Sequence, residues 1–276
     1  MRLMTRHLLL LLATTLLLLA ASAAGAQGET KKNEEEFSYD HGAENGPEHW
    51  GEINPNWTKC GTGKMQSPID LPHEHVKVMC RLGYLNYSYR AAEASIVNRG
   101  HDVMLKFEGA AGTVVIDGTA YYLSQLHWHW PSEHTVDGRR YDLELHMVHE
   151  SADKKVAVVG LLYEVGRRSD GFLRKMEPYL RMIADKKDRE EKVGVIDPRG
   201  ARGRDSLYYR YVGSLTTPPC TEGVIWTITK RVHTVAKYQL DLLRETVANV
   251  NDNARPLQKL NDRNIGIFIP RPLKQN

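Results

Sequence analysis

Apolar and polar positions alternate along most of the chain, with the period of two that is typical of half-buried β-strands. Turn-forming pairs such as Asp117-Gly118 and Asp137-Gly138 separate the alternating stretches. The stretches predicted as strands are residues 84–89, 95–98, 103–107, 112–116, 120–130, 142–150, 155–165, 206–212 and 223–232. The helical period occurs mainly over residues 171–186 and 238–250. Many strands with few helices, in an order unlike βαβ units, predict one β-rich domain.

The first part of the chain has the pattern of a targeting segment. Arg2 and Arg6 precede an apolar run over residues 8–20, and a small-residue A-x-A site ends at Ala26. This combination predicts a secretory signal peptide over residues 1–26. The alternative is a transmembrane anchor, but the apolar run is short for a full span and the small-residue end favours cleavage.

Composition and charge exclude several classes of protein. The chain has 276 residues, of which 41% are hydrophobic and 26% charged, as in ordinary globular proteins. Without Arg2 and Arg6 the formal charge falls from +3 to +1, since 35 Lys+Arg then face 34 Asp+Glu, so nucleic-acid binding has no support. No second apolar run can span a bilayer. We expect a flexible N-terminal segment over residues 27–36, one domain over residues 37–276, and a solvated helix end or loop at the charged run 186–192.

A histidine cluster carries the strongest chemical information. His127 and His129 lie two residues apart in one predicted strand, so they face the same side of a sheet, together with Gln125. After a turn, the next predicted strand carries Glu144 and His146 on one face. If the two strands are neighbours in one sheet, His146 joins the pair from the side. A histidine on a strand is usually a packed or surface residue, but a third imidazole with polar neighbours favours a metal site.

The type of donor indicates which metal. Three imidazoles without a thiolate are typical of a catalytic zinc, which keeps a fourth position for water and lowers the pKa of that water to near 7. Gln125 and Glu144 each precede a ligand by two residues, so we expect them to accept hydrogen bonds from the far ring nitrogens. His-x-His followed by Glu133 also fits the metal motif of cupins, and spacing alone leaves that alternative open.

Six short motifs, in order along the chain, carry a family resemblance. They are NGPEHW at 45–50, QSPID at 66–70, QLHWHW at 125–130, SEHTV at 132–136, ELHMVH at 144–149 and SLTTPPC at 214–220. Together they resemble the α-class carbonic anhydrases, particularly the extracellular plant members, from about residue 37 to 270. The resemblance implies a single domain around a large, twisted, mostly antiparallel sheet with a few peripheral helices. It also implies a zinc site at the bottom of a conical cleft.

The resemblance assigns roles to individual residues. The zinc ligands would be the three histidines His127, His129 and His146. Thr216 would accept a hydrogen bond from zinc-bound hydroxide and donate one to Glu133, which as a carboxylate only accepts. The position of His101 matches the family's proton-shuttle histidine, and an imidazole suits proton transfer at neutral pH. The residues that match the substrate pocket for carbon dioxide are Val148, Val158, Leu215, Thr217 and Trp226.

Three positions depart from the family pattern near the proton path. Arg99 and Met104 stand where the family has asparagines that order water, and a cationic Arg99 is expected to depress the pKa of His101. The tyrosine expected at the entrance does not align cleanly, because His41 falls there without a gap and Tyr39 with one. These departures bear on proton transfer and leave zinc binding intact.

The remaining expectations concern secretion. By the same resemblance, Cys60 and Cys220 form a disulfide that anchors the loop of Thr216, worth roughly 5 kcal/mol as an upper figure, and Cys80 is left over. Asn56 and Asn86 begin N-glycosylation sequons. A signal peptide leads to the cell wall or apoplast, with a plastid reached through the secretory route as the alternative.

The leading hypothesis is therefore an enzyme, a carbonate dehydratase that uses Zn²⁺ to hydrate carbon dioxide to bicarbonate and a proton. Its only predicted partner is this small-molecule substrate. A storage or carbohydrate-binding protein on the same fold is the second hypothesis. A cupin-like iron or manganese oxygenase is the third. The intact donor set favours the first of these.

Overall fold

The computed structural model describes residues 37–203, 206–248 and 250–270. The predicted signal peptide, residues 1–26, and the predicted flexible segment, residues 27–36, lie outside the described residues. None of the helices within the described part is both long and apolar enough to cross a membrane.

A twelve-stranded mixed sheet forms the centre of the described residues. Its strands are β1 Val76–Val78, β2 Asn86–Tyr87, β3 Ala92–Asn98, β4 Val103–Phe107, β5 Thr113–Ile116, β6 Thr119–His129, β9 Leu143–Ser151, β10 Val156–Gly166, β11 Glu190–Ile196, β12 Tyr208–Ser214, β13 Glu222–Ala236 and β14 Ile265–Phe268. The main path runs β1-β14-β12-β13-β10-β9-β6-β4-β3-β11, with β5 also paired to β6 and β2 paired to β5. A separate two-stranded sheet pairs β7, Thr135–Val136, with β8, Arg139–Arg140.

Most neighbouring strands in the large sheet run antiparallel. The parallel pairs between its named strands are β1 with β14 and β10 with β13. The order confirms the predicted fold class, a mainly β protein around a large, mostly antiparallel sheet. It also places β6 and β9 side by side. This arrangement is required if His127 and His129 on β6 are to form one site with His146 on β9.

The α-helices of the described residues are few and short. They are α1 Trp50–Ile53, α2 Lys59–Thr62, α3 Gly171–Ile183, α4 Arg199–Arg202 and α5 Lys237–Thr246. The side chain of Asp170 accepts a hydrogen bond from the backbone N–H of Leu173 at 2.7 Å and caps α3 as expected. Helix α3 ends at Ile183 rather than Lys186, because the chain turns through Asp185, whose φ is 54°.

One interpretation of the sequence was wrong in part. Residues 186–189 form a turn after α3, as expected, but residues 190–192 of the charged run belong to strand β11. This strand pairs with β3 at the end of the main strand path. Charged residues suit such a position, because they keep an edge strand from pairing with other chains. The amphipathic pattern that reveals interior strands is therefore weak there.

Apolar side chains form two large buried clusters. One packs the apolar faces of α3 and α5, including Leu180 and Leu243, with residues of β3, β4, β6 and β9. The other lies around β10, β12 and β13 and includes Val158 and Trp226. The strands that carry the histidines thus have well-packed neighbours, which fixes their positions.

The Cys60–Cys220 disulfide links residues 160 positions apart, and Cys80 is exposed and free. We expect the double variant Cys60→Ser, Cys220→Ser to lose about 2–5 kcal/mol of unfolding free energy, because the unfolded chain is released from a large loop. Urea unfolding measures this loss, and Cys80→Ser is the matched control. A double variant as stable as the Cys80→Ser protein would contradict the expectation.

Candidate metal centre

Three imidazoles converge between strands β6 and β9. His127 lies directly opposite His146 in the register of the two strands, and His129 follows on the same face of β6. The ring centroids are 5.0 Å apart for His127–His129, 5.1 Å for His127–His146 and 4.6 Å for His129–His146. One nitrogen from each ring lies within 4.8 Å of the other two, and the residues are buried. This spacing allows one ion to touch all three.

Each ring is oriented by a hydrogen bond from its far nitrogen. His127 Nδ1 donates to Gln125 Oε1 at 2.9 Å, and His146 Nε2 donates to Glu144 Oε1 at 2.8 Å. His129 Nδ1 donates to the carbonyl of Asn253 at 2.7 Å. With these protons placed, Nε2 of His127, Nε2 of His129 and Nδ1 of His146 keep lone pairs for a ligand in the gap.

Glu133 borders the same gap. Its Oε1 accepts a hydrogen bond from the backbone N–H of Arg255 at 3.0 Å. Its Oε2 lies 3.6 Å from His129 Nε2 and 3.9 Å from His146 Nδ1, and both Oε2 and His129 Nε2 are buried without a hydrogen-bond partner. Buried polar atoms are seldom left unpaired, so these two atoms fit a site that holds a further group. The donor set of three imidazoles suits zinc.

A buried network supports His146 from behind. Glu144 accepts hydrogen bonds from His146 Nε2 and from Nδ1 and the backbone N–H of His134. His134 Nε2 continues to the Tyr211 hydroxyl, which contacts the Ser67 hydroxyl at 2.8 Å. Burial alone would raise the pKa of Glu144, but His134 and His146 outweigh burial and hold that pKa well below its usual range. Glu144 is therefore an ionised acceptor at neutral pH.

The same network explains why a second cluster is a weaker metal candidate. His134, Glu144 and His146 also bring ligand atoms within 4.8 Å of one another. Their facing atoms, however, are already joined by hydrogen bonds of 2.7–2.8 Å through Glu144 Oε1. In the first cluster the ring nitrogens that face the gap keep their lone pairs for a ligand. In the second cluster the facing atoms already form hydrogen bonds with one another.

An apolar wall stands beside the histidines. Val158 on β10 pairs with Val148 on β9 and with Trp226 on β13, so three adjacent strands place them in one row. The Trp226 ring lies 4.8 Å from the His146 ring, measured between centroids. Leu215 is half-buried against the same apolar cluster.

The loop after β12 carries the two threonines. Thr216 is buried, whereas Thr217 is half-buried. The loop is held by hydrogen bonds from the backbone N–H of Leu215 to the carbonyl of Thr221 and from that of Cys220 to the carbonyl of Thr217. The disulfide at Cys220 fixes its end. The Glu133 oxygen expected to accept from Thr216 has no hydrogen-bond partner in this structure.

His101 sits in the β3–β4 turn with its side chain 25% exposed. Burial lowers its pKa; Asp102 opposes this shift and Arg99 adds to it. The direction expected from Arg99 is therefore present, but burial is the larger cause. Strand β4 places Met104 opposite His127.

The structure distinguishes the two residues that compete for the entrance tyrosine position. Tyr39 is buried against Trp50, and its hydroxyl has no hydrogen-bond partner. Burial raises the pKa of Tyr39, and Glu133 and Asp102 raise it further. His41 instead contacts Glu48 at 2.7 Å in an exposed position. Tyr39 is thus the buried member of the two, whereas His41 lies on the surface.

Sequence reasoning missed several supporting residues. The carbonyl of Asn253 carries no side-chain signal, and Arg255 lies 122 residues from Glu133. Gly160 pairs with His146, and a Cβ there would lie 2.6 Å from Ile228 Cδ1 and 3.0 Å from Glu144 Oε1. A side chain at this position would have to displace the end of Ile228 and would crowd the Glu144 carboxylate. Asp102 was missed because a charged residue in a turn is normally exposed.

Comparison with known proteins agrees with the geometry. The family model described as eukaryotic-type carbonic anhydrase matches residues 45–268. The chain therefore belongs to the α carbonic anhydrase family. Alpha carbonic anhydrase 7 of Arabidopsis thaliana is 50% identical over 240 residues, which cover 87% of each chain. Dioscorin DB3S of Dioscorea polystachya is 46% identical over 236 residues, covering 85% of this chain and 88% of the dioscorin.

Solved structures give the same assignment. A crystal structure of dioscorin complexed with ascorbate superposes with a TM-score of 0.83 at 45% identity, covering 87% of this chain and all of that one. The α-carbonic anhydrase of Thermovibrio ammonificans, in complex with the inhibitor sulfanilamide, gives 0.77 at 36% identity, covering 84% of this chain and 99% of that one.

Proposed function

We propose that this protein catalyses the reversible hydration of carbon dioxide to bicarbonate and a proton, with Zn²⁺ held by His127, His129 and His146. The observation that carries the proposal is the set of three buried imidazoles whose far nitrogens are all bound, beside the unpartnered Glu133 Oε2. When bound, zinc lowers the pKa of a water molecule to near 7, which supplies a nucleophile at neutral pH.

The surrounding residues orient and hold the reactants. Glu133 is fixed through Oε1 by the backbone of Arg255, which leaves Oε2 to accept from a hydroxyl. In this proposal that hydroxyl belongs to Thr216, whose oxygen can then only accept a hydrogen bond from the nucleophile. The acceptors Gln125 and Glu144 keep the ligand rings in one tautomer.

Carbon dioxide would bind along the apolar wall. The substrate carries no charge, so it loses little solvation in such a pocket, where a charged molecule would lose much more. The residues proposed to line it are Val148, Val158, Leu215, Thr217 and Trp226. The closeness of this wall to His146, with 4.8 Å between the centroids of the Trp226 and His146 rings, supports the proposed position of the substrate.

His101 is proposed to carry the product proton to solvent. We expect His101→Ala to lower kcat in dilute buffer by roughly 10–100-fold, because the imidazole proposed to relay the proton is lost, and added imidazole to restore it. His75→Ala is the matched control, since His75 is exposed and its ring faces its neighbour Glu74. Unchanged turnover of His101→Ala at every buffer concentration would exclude this role.

Two other functions are distinguished by one experiment. The full chain is stripped of metal with a chelator, and zinc, iron or manganese is then added back. Restoration of hydration by zinc supports the proposal, whereas a preference for iron or manganese with oxygenase activity supports the cupin-like alternative. A protein that takes up no metal at these histidines and shows no hydration would overturn the proposal and favour the storage or carbohydrate-binding alternative.

We also propose that the chain enters the secretory pathway after cleavage of residues 1–26. The cell wall or apoplast is the proposed destination, with the plastid as the alternative. Asn56 and Asn86 are both exposed, so an oligosaccharide attached at either sequon would extend into solvent. The similarity to plant carbonic anhydrases supports a plant setting.

A further inference from the structure

A buried ion pair lies in the turn that carries His101. Arg99 Nε donates to Asp102 Oδ1 at 2.6 Å, and Arg99 Nη2 donates to Oδ2. The Asp102 side chain is fully buried, whereas that of Arg99 is 30% exposed. The two guanidinium bonds fix both carboxylate oxygens, so Asp102 cannot rotate without breaking the pair.

The turn does not need this pair to close. The backbone N–H of Arg99 donates to the carbonyl of Asp102 at 2.9 Å, and the N–H of Gly100 donates to the Asn98 side chain at 2.9 Å. Asn98 also donates to the carbonyls at the ends of α3 and α5. Because desolvation offsets much of the attraction in a buried ion pair, stability alone is a weak explanation for it.

The carboxylate of Asp102 faces His101. Its Oδ1 lies 3.9 Å from His101 Nε2. The Phe37 ring packs on the imidazole with 4.9 Å between centroids, and Asn253 Nδ2 donates to the His101 carbonyl at 3.0 Å. The carbonyl of His101 is thus held by a hydrogen bond, while its side chain has both an aromatic ring and a carboxylate as neighbours.

The other charged or titratable groups near His101 do not attract a protonated imidazole. They are Arg99, His129 and Lys187. The Lys187 side chain lies over the same turn, since a Cβ on Gly100 would be 2.8 Å from Lys187 Cδ. Asp102 is therefore the acidic group that opposes these cations at His101, with its Oδ1 lying 3.9 Å from Nε2.

We propose that the Arg99–Asp102 pair is a positioning device for His101: Arg99 immobilises the carboxylate, and the carboxylate keeps the imidazole turned into the metal cavity. This inference rests on the proposed role of His101 in proton transfer. Without Asp102, Arg99 and Lys187 repel the protonated ring, and rotation about χ1 carries it toward solvent. Asp102 contacts no reacting atom and acts only through His101.

The test compares Asp102→Ala with Asp197→Ala in the full chain. Asp197 forms the matched control pair, because Arg199 Nε donates to it at 2.9 Å on the surface. We expect Asp102→Ala to lower kcat in dilute buffer about five- to tenfold, with kcat/KM for carbon dioxide changed less than about twofold. Imidazole restores kcat, and a crystal structure of the variant shows the His101 ring turned outward. Asp197→Ala changes none of these.

A second variant covers the case in which Asp102→Ala does not fold. Arg99→Met with Asp102→Leu replaces the pair by apolar side chains, an exchange that buried ion pairs often tolerate. Either folded variant overturns the proposal if it keeps wild-type kcat in dilute buffer with the ring turned inward. A parallel fall of kcat and kcat/KM also overturns it, since that indicates damage to the metal site.

The inference and the proposed function fail in different ways. Failure of the function appears in the wild-type protein, as absent hydration. Failure of the inference appears only in the variants. The crystallographic orientation of His101 decides the positioning role even in an inactive protein, because an inward ring in a folded variant without Asp102 contradicts it.

Discussion

His146→Ala is expected to abolish zinc binding and to lower kcat/KM for carbon dioxide by about 10³-fold or more, equivalent to roughly 4 kcal/mol of transition-state stabilisation. His146 Nδ1 lies 3.3 Å from His127 Nε2, and His146 is the ligand that strand β9 supplies. Its replacement by alanine therefore removes one of the three nitrogen donors. Two imidazoles on one strand then remain, and a catalytic zinc needs three protein ligands.

Metal content and the hydration rate of the purified variant measure this effect. His75→Ala is the matched control, because His75 is an exposed histidine whose ring faces its neighbour Glu74. A His146→Ala protein that retained stoichiometric zinc and wild-type turnover would disprove the assignment of this ligand.

Glu144→Ala is expected to have the second largest effect, on stability as well as on the metal. Glu144 is completely buried and accepts three hydrogen bonds, two from His134 and one from His146. Alanine leaves these donors unpaired in the interior, so we expect a loss of about 3–5 kcal/mol of unfolding free energy. Zinc affinity should fall about 10–100-fold, because His146 loses the group that orients it.

Urea unfolding and a competitive zinc titration test the two parts of this prediction, with Glu164→Ala on the exposed part of β10 as the control. The pKa of Glu144 is lowered in the folded protein. Its contribution is therefore fully present above the unfolded-state pKa and is lost as pH falls below about 4.5. The stability difference between wild type and Glu144→Ala should narrow on acidification. A constant difference from pH 7 to pH 3 would contradict the role of the charged carboxylate.

Residue alternation predicted a large part of the site. It placed His127 and His129 on one face, because side chains alternate along a strand whatever the tertiary fold. The position of His146 required that β6 and β9 be neighbours, which sequence patterns made plausible and the strand register shows. The pairing of Cys60 with Cys220 came from family resemblance alone, since spacing does not reveal disulfide partners.

Other features depend on contacts that leave no mark in the local sequence. The carbonyl of Asn253 orients His129 across 124 positions, and any residue type has such a carbonyl. Strand β11 escaped prediction because its edge position favours charged residues. Asp102 is buried because it forms an ion pair with Arg99. The pattern of hydrophobic and polar residues along the chain gives no sign of such a pair.

The central claim is that a zinc centre at these histidines hydrates carbon dioxide. Two measurements on a single protein sample test this claim most directly. Zinc content and the initial rate of hydration are measured on the same purified wild-type protein. We predict about one zinc per chain and a hydration rate that falls and recovers with zinc removal and return. A protein with one zinc per chain at these histidines and no hydration above the uncatalysed rate would contradict the account.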